Sequence, residues 1–171
     1  MIWGKEKKGY EEYMQPLTVE GEYLAKKLAE IEEFKDVDKI ISSPTARTIS
    51  TVKYIAEKYN IPIQLDERII ERQFGNWDEK PEDFFERQWN DYEYKLHNGE
   101  CLREVERRMI EFLDELLISE CGKKVIVSSH GQAIATLLRK LENKIYNIDS
   151  PDIFKIIYEN KELKNIERIF L

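Results

Sequence analysis

The stretch Val125–Leu138, VIVSSHGQAIATLL, constrains this chain more than any other. Val125, Ile126 and Val127 form a continuous β-branched run, which suits a strand buried on both faces. Ser128 to Gly131 break that run, and beyond them Ile134, Leu137, Leu138 and Leu141 recur at helical spacing. His130 therefore lies just past the carboxyl end of a strand, where the next helix begins. Open α/β sheets bind ligands at that edge, and a helix N-terminus offers unpaired N–H groups and partial positive charge. An anion is the natural guest. A histidine standing alone there would more simply cap or pack.

It does not stand alone, because KIISSPTAR at Lys39–Arg47 repeats the design. Ile40 and Ile41 make a second short strand, Ser42 and Ser43 end it, and Pro44 suits the first turn of a helix. Arg47 then falls at the start of that helix, near the same sheet edge if the two strands are parallel. The planar fork of arginine matches the oxygens of phosphate or carboxylate. Two strand ends carrying an arginine and a histidine favour a phosphate site over chance surface polarity.

At 171 residues the chain has room for one domain with a sizeable core. A formal charge of −7 argues against general nucleic-acid binding, which needs a basic surface. No apolar run approaches the ~20 residues that cross a membrane, and no signal-peptide pattern is present. Cys101 and Cys121 lack paired-ligand spacing and read as reduced thiols of a cytoplasmic protein. Two histidines without a cysteine cluster leave no zinc pattern, and neither a metal nor a cofactor is expected.

Residues 1–15 read as an N-terminal arm. Thr18 is the expected N-cap of a first helix, whose buried stripe is Leu24, Leu28 and Ile31. A second helix presents Ile49, Val52, Ala56 and Tyr59, and Asn60 ends it before a short strand within Ile61–Leu65. Residues 67–100 form an irregular, lid-like insertion in which Gly75 interrupts any regular element. Beyond Pro81, Phe85, Trp89, Tyr92 and Leu96 keep helical spacing, and His97 reads as a surface loop residue. A long helix carries Leu102, Val105, Met109, Leu113 and Leu116, and Gly122 ends it. Ile153–Tyr158 and Ile166–Leu171 read as a β-hairpin turning near Asn160 and Lys161 and closing the sheet. The expected fold is one α/β domain over residues 1–171. It is a three-layer sandwich with a mainly parallel central sheet flanked by helices and a C-terminal β-hairpin.

Four motifs and a junction in fixed order give the chain a family resemblance. They are PLTxxG (Pro16, Leu17, Thr18, Gly21), SSPxxR (Ser42, Ser43, Pro44, Arg47), ExxFGxW (Glu71, Phe74, Gly75, Trp77) and SHG (Ser129, His130, Gly131), with Gly99-Glu100 opening a helix between the last two. The set resembles the histidine phosphatase superfamily in its phosphoglycerate-mutase-like branch, over roughly residues 16–141. The resemblance implies a phosphomonoester phosphatase or a mutase-like phosphoryl transferase acting on a small phosphorylated substrate. Arg47 would grip the phosphoryl oxygens, and His130 would donate to the same group. Glu71 would protonate the departing alkoxide and then activate water, which requires a raised pKa. Gly131 would let the backbone approach the anion closely.

The same family opens with an apolar strand ending in Arg-His-Gly, whose histidine is the nucleophile, and no such sequence occurs here. Trp3-Gly4 stands near the place of His-Gly, and tryptophan accepts no phosphoryl group. Two explanations compete. In one the chain begins late and an upstream strand is missing; in the other it is a non-catalytic phosphoester-binding or protein-interaction module. The joint presence of Arg47, Glu71 and His130 favours the first. The sheet is then expected to show an empty slot, a direct pairing of flanking strands or a borrowed strand. The particular phosphoester and the oligomeric state are left open.

Overall fold

The structure, a computed structural model, describes residues 13–170. Most of the expected N-terminal arm, including Trp3-Gly4, and Leu171 lie outside the described residues. Thr18 is extended and its Oγ1 accepts the Gly21 N–H at 3.1 Å, which starts α1 (Val19–Leu28). Glu20 and Glu22 in its first turn and Lys26 and Lys27 in its last complement the helix dipole. Its buried residues are Ala25 and Leu28, while Leu24 is half-buried and Ile31 lies beyond its end.

Strand β1 (Lys39–Ser42) leads through Pro44 and Thr45 into α2 (Ala46–Tyr59). The N-cap is Thr45, so Pro44 stands outside the helix rather than in its first turn. Asn60 closes α2 in the left-handed region, and β2 (Ile63–Leu65) follows. After a long irregular stretch come α3 (Phe84–Asn90), α4 (Leu102–Ser119), β3 (Val125–Ser128) and α5 (Gly131–Glu142). Strands β4 (Ile153–Glu159) and β5 (Glu162–Ile169) end the described chain.

The central sheet is parallel, in the order β2-β1-β3. Neighbouring residues on a strand face opposite sides, and β1 uses this to join two cores. Ile40 packs with Leu28, Val37, Val52 and Ile55 on the α1/α2 side. Ile41 packs with Val105, Met109, Phe112 and Leu137 on the α4/α5 side. Val125 and Val127 lean on the second cluster and Ile126 on the first, which is why the β3 run is apolar without alternation. The result is the three-layer sandwich.

The hairpin forms, with Asn160 and Lys161 both at positive φ in the turn, as a tight primed hairpin turn requires. It does not close the central sheet. Among the described residues β4 and β5 pair only with each other and β3 pairs only with β1. Side-chain packing holds the hairpin, with Tyr158 against one core and Ile153 against the other.

The stretch 67–100 is irregular yet closely tied. The Glu100 N–H donates to the Gln73 carbonyl at 2.7 Å and the Asn76 N–H to the His97 carbonyl at 2.9 Å. Helix α3 ends at Asn90, so Tyr92 and Leu96 fall outside it. Its inward residues are Phe84 and Gln88, one position off the expected Phe85/Trp89 stripe. The cause is the buried Arg72, which draws the Gln88 amide and the Phe84 ring to itself. An apolar pattern cannot show that requirement. No helix among the described residues is long and apolar enough to cross a membrane.

Gly75 has φ +75°, and a Cβ there would stand 2.3 Å from the His97 carbonyl oxygen. Gly122 has φ +77° with open space around it. Gly75→Ala is therefore expected to destabilise by roughly 3 kcal/mol or more, and Gly122→Ala by about 1 kcal/mol from backbone strain alone. Urea midpoints of the two variants measure the difference, and equal losses would remove the steric part.

Candidate active site

The parallel ladder between β1 and β3 runs past both strands. The Ser43 N–H donates to the Ser128 carbonyl at 2.9 Å, so the two chains leave the sheet side by side. Ser128 Oγ donates to the Thr48 carbonyl at 3.0 Å, tying β3 to the first turns of α2. Thr48 Oγ1 in turn donates to the Ser43 carbonyl at 2.8 Å. These bonds hold Arg47 and His130, distant in sequence, against each other.

Arg47 Nη2 lies 3.1 Å from His130 Nδ1, and both side chains are buried. A guanidinium has only donors, so Nδ1 accepts and the ring proton sits on Nε2. Nε2 donates to Ser43 Oγ at 2.9 Å. The imidazole is thus neutral with a defined tautomer. Burial, aided by the charges of Arg47 and Arg108, lowers its pKa to about 3.

Glu71 joins the group at the start of α5, near enough for the Arg47 charge to act on its carboxyl. Its carboxylate accepts N–H bonds from Gln132 at 3.4 Å and Ala133 at 3.2 Å, in the first turn of α5. The His130 side chain makes no capping bond to α5, so Glu71 caps that helix from a remote part of the chain. The anion expected at this helix terminus is accordingly supplied first by the protein. Burial pushes the Glu71 pKa up, against the lowering effect of these N–H bonds, that of Arg72, and the Arg47 charge. A carboxyl of raised proton affinity, near a guanidinium and a neutral imidazole, has the chemistry that acid–base work at an anionic ester needs.

Two arginines fix Glu71 from its flanks, and sequence reasoning missed both. Arg108 donates to the carbonyls of Arg68 and Ile70 at 2.7 and 2.8 Å, and pairs with Glu100 at 2.7 Å. Arg72 donates to the carbonyls of Glu100 at 2.7 Å and Tyr94 at 3.1 Å, and to Gln88. Gln88 continues to Gln132 at 3.2 Å, linking the insertion to the start of α5. Ser43 was visible only as a motif letter, and its part in setting the His130 tautomer needed coordinates. Gly131 opens α5, and a Cβ there would meet only the Ile148 carbonyl at 3.9 Å, so sterics among the described residues do not demand glycine. His97 is exposed and away from this group, joined to the insertion through its carbonyl. Cys101 and Cys121 are free thiols. Among the described residues no three His, Cys, Asp or Glu side chains assemble a metal site.

The unfolded chain protonates His130 near pH 6.5 and the folded chain only near pH 3. Its contribution to stability is therefore full above pH 6.5 and is lost as the pH falls toward 3, by about 3 kcal/mol at pH 4.5. Glu71, with its raised pKa, works in the opposite sense: its contribution is full at low pH and fades as pH rises. Glu104 and Glu120, both lowered to about 2, lose theirs only below about pH 4.5. Comparing the unsubstituted protein with His130→Asn between pH 6.5 and 4.5 isolates the histidine. The variant's urea midpoint should fall less on acidification, and parallel pH profiles would contradict a neutral buried imidazole.

Over residues 3–167 the chain matches the sequence profile of the histidine phosphatase superfamily, branch 1. It is 29% identical over 149 residues to a probable phosphoglycerate mutase GpmB of Yersinia enterocolitica, covering 82% of this chain and 69% of that one. It is 34% identical over 133 residues to phosphoserine phosphatase 1 of Hydrogenobacter thermophilus, covering 71% of this chain and 62% of that one. Among solved structures, Bacillus stearothermophilus YhfR superposes with a TM-score of 0.71 at 23% identity, over 90% of this chain and 87% of that one, a likeness of fold. With a match over residues 3–167, nearly its whole length, the chain belongs to the histidine phosphatase superfamily, branch 1.

Proposed function

We propose that this site binds the phosphoryl group of a small phosphomonoester and serves its transfer. The observation that carries the reading is the buried Arg47–His130–Ser43 chain at adjoining strand ends, with the capping carboxyl of Glu71 beside it. An arriving phosphoryl group competes with Nδ1 for the Arg47 fork, which binds two of its oxygens. Once Arg47 has turned away, the dianion favours protonation of His130, which then donates to it as well. The start of α5, with Gly131, borders the same anion. In the family's reaction Glu71, protonated, would give its proton to the bridging oxygen as the phosphoryl passes from that oxygen to a nucleophilic histidine, and the resulting carboxylate would then take a proton from the water that releases phosphate from that histidine. The insertion 67–100 acts as the cover of the site.

The nucleophile that the family places in this reaction is a second histidine of the site. This polypeptide contains two histidines, of which His97 is exposed and outside the group. We therefore expect this polypeptide to bind phosphate better than it turns phosphate esters over. The rival reading, a phosphoester-binding module without catalysis, rests on the same observation.

Phosphate or vanadate should bind weakly, Arg47→Lys should weaken binding, and Arg47→Ala should abolish it, since lysine keeps charge but not the fork. Calorimetry on the three proteins tests this, and equal affinities would sink the phosphate site. Turnover of a generic phosphomonoester should sit near background, because losing a nucleophile costs on the order of 10⁴–10⁶ in rate. Robust turnover, sensitive to His130→Ala, would instead show that His130 or His97 serves as the nucleophile.

A further inference from the structure

Trp77 and Phe85 are the exposed aromatic rings of the insertion, at 40% and 45% accessibility. They stand edge to face with centroids 6.0 Å apart. Scattered apolar residues on a surface carry no meaning, but this pair is built. The fully buried Phe84 backs both, at 5.9 Å from Trp77 and 5.3 Å from Phe85, and Phe74 supports Trp77 at 5.0 Å. Behind them the Arg72 guanidinium lies over Phe74 at 5.6 Å and Phe84 at 5.2 Å. Arg72 follows Glu71 directly in the chain, and its partner Gln88 reaches the start of α5, which holds the Glu71 carboxylate. The wall and the acid are thus parts of one braced unit. Trp77, Phe85 and Glu71 also line the same cleft as Arg47 and His130.

The group bonded to a phosphoryl held by Arg47 leaves on the side of the acid that protonates it. The braced unit that carries the acid also holds the exposed Trp77 and Phe85 rings, which line the same cleft. Asp78 and Glu79, on the same turn as Trp77, also line the cleft and repel a second anionic group. Lys80 has its ammonium against the Trp77 and Phe85 rings at 5.3 and 5.6 Å, where it braces them.

We infer that Trp77 and Phe85 form a leaving-group subsite that selects phosphomonoesters of uncharged aromatic or apolar alcohols. The inference rests on the phosphate-site reading and adds to it the chemistry of the organic part. Stacking against such a pair favours an aryl over a methyl substituent by roughly ten-fold in affinity.

The test uses phosphonates, which carry the organic group on a bond that does not hydrolyse and so need no turnover. Phenylphosphonate, methylphosphonate, 2-carboxyethylphosphonate and inorganic phosphate are titrated calorimetrically into the chain and into Trp77→Ala and Phe85→Ala. Phenylphosphonate should bind about ten-fold more tightly than methylphosphonate, and each substitution should bring that ratio toward one. Both side chains are partly exposed, and circular dichroism checks that each variant folds; if one does not, the other decides. Equal binding of phenyl- and methylphosphonate alongside measurable phosphate binding overturns the subsite and leaves the phosphate site standing. Binding of 2-carboxyethylphosphonate as tightly as phenylphosphonate overturns the preference for an uncharged group. Failure of phosphate and all three phosphonates to bind overturns the phosphate site, and the subsite with it.

Discussion

The parallel ladder from Asp38/Lys124 to Ser43/Ser128 is the constraint on which the site depends. Parallel strands in register end together, so whatever follows each strand emerges at the same edge of the sheet. Here the two exits carry Arg47 and His130. Shifting β1 by one residue against β3 would separate them and exchange Ile40 with Ile41 between the two cores. Register, core and site are therefore specified by the same bonds.

Glu71 shows how capping a helix and the acid role proposed for it make opposite demands on one side chain. As a cap, it satisfies N–H groups at the start of α5 that His130 leaves unpaired. As the acid of the proposed reaction, it needs the burial that raises its proton affinity. The two roles pull in opposite directions, since each N–H bond favours the ionised form. Burial prevails, and Arg47 moderates the outcome from nearby.

The insertion contributes order without regular structure. Buried guanidinium groups are costly unless their donors are satisfied. Arg72 and Arg108 meet that demand mainly with backbone carbonyls, which irregular segments have in surplus. A stretch without a ladder of its own thereby gains fixed geometry on both flanks of Glu71, and the aromatic cluster around Phe84 closes over Arg72.

Much of this protein was legible from periodicity. The β-branched runs at Ile40 and Val125, the change to helical spacing after each, the Thr18 cap and the turn at Asn160 are local properties. Local chemistry suffices to announce them, and the ordered motifs pointed to the family. Where an element's face depends on a distant polar partner, the pattern misled. Phe84 rather than Phe85 turned inward because Arg72 needed it, and the hairpin built its own sheet. The pairing of Arg47 with His130, the tautomer set by Ser43, and the capping of α5 by Glu71 join segments far apart in sequence. Hydrogen bonds of that kind leave no period in the chain, so the sequence by itself determined the elements and the residue types of the site, and only the tertiary structure decided which atoms meet.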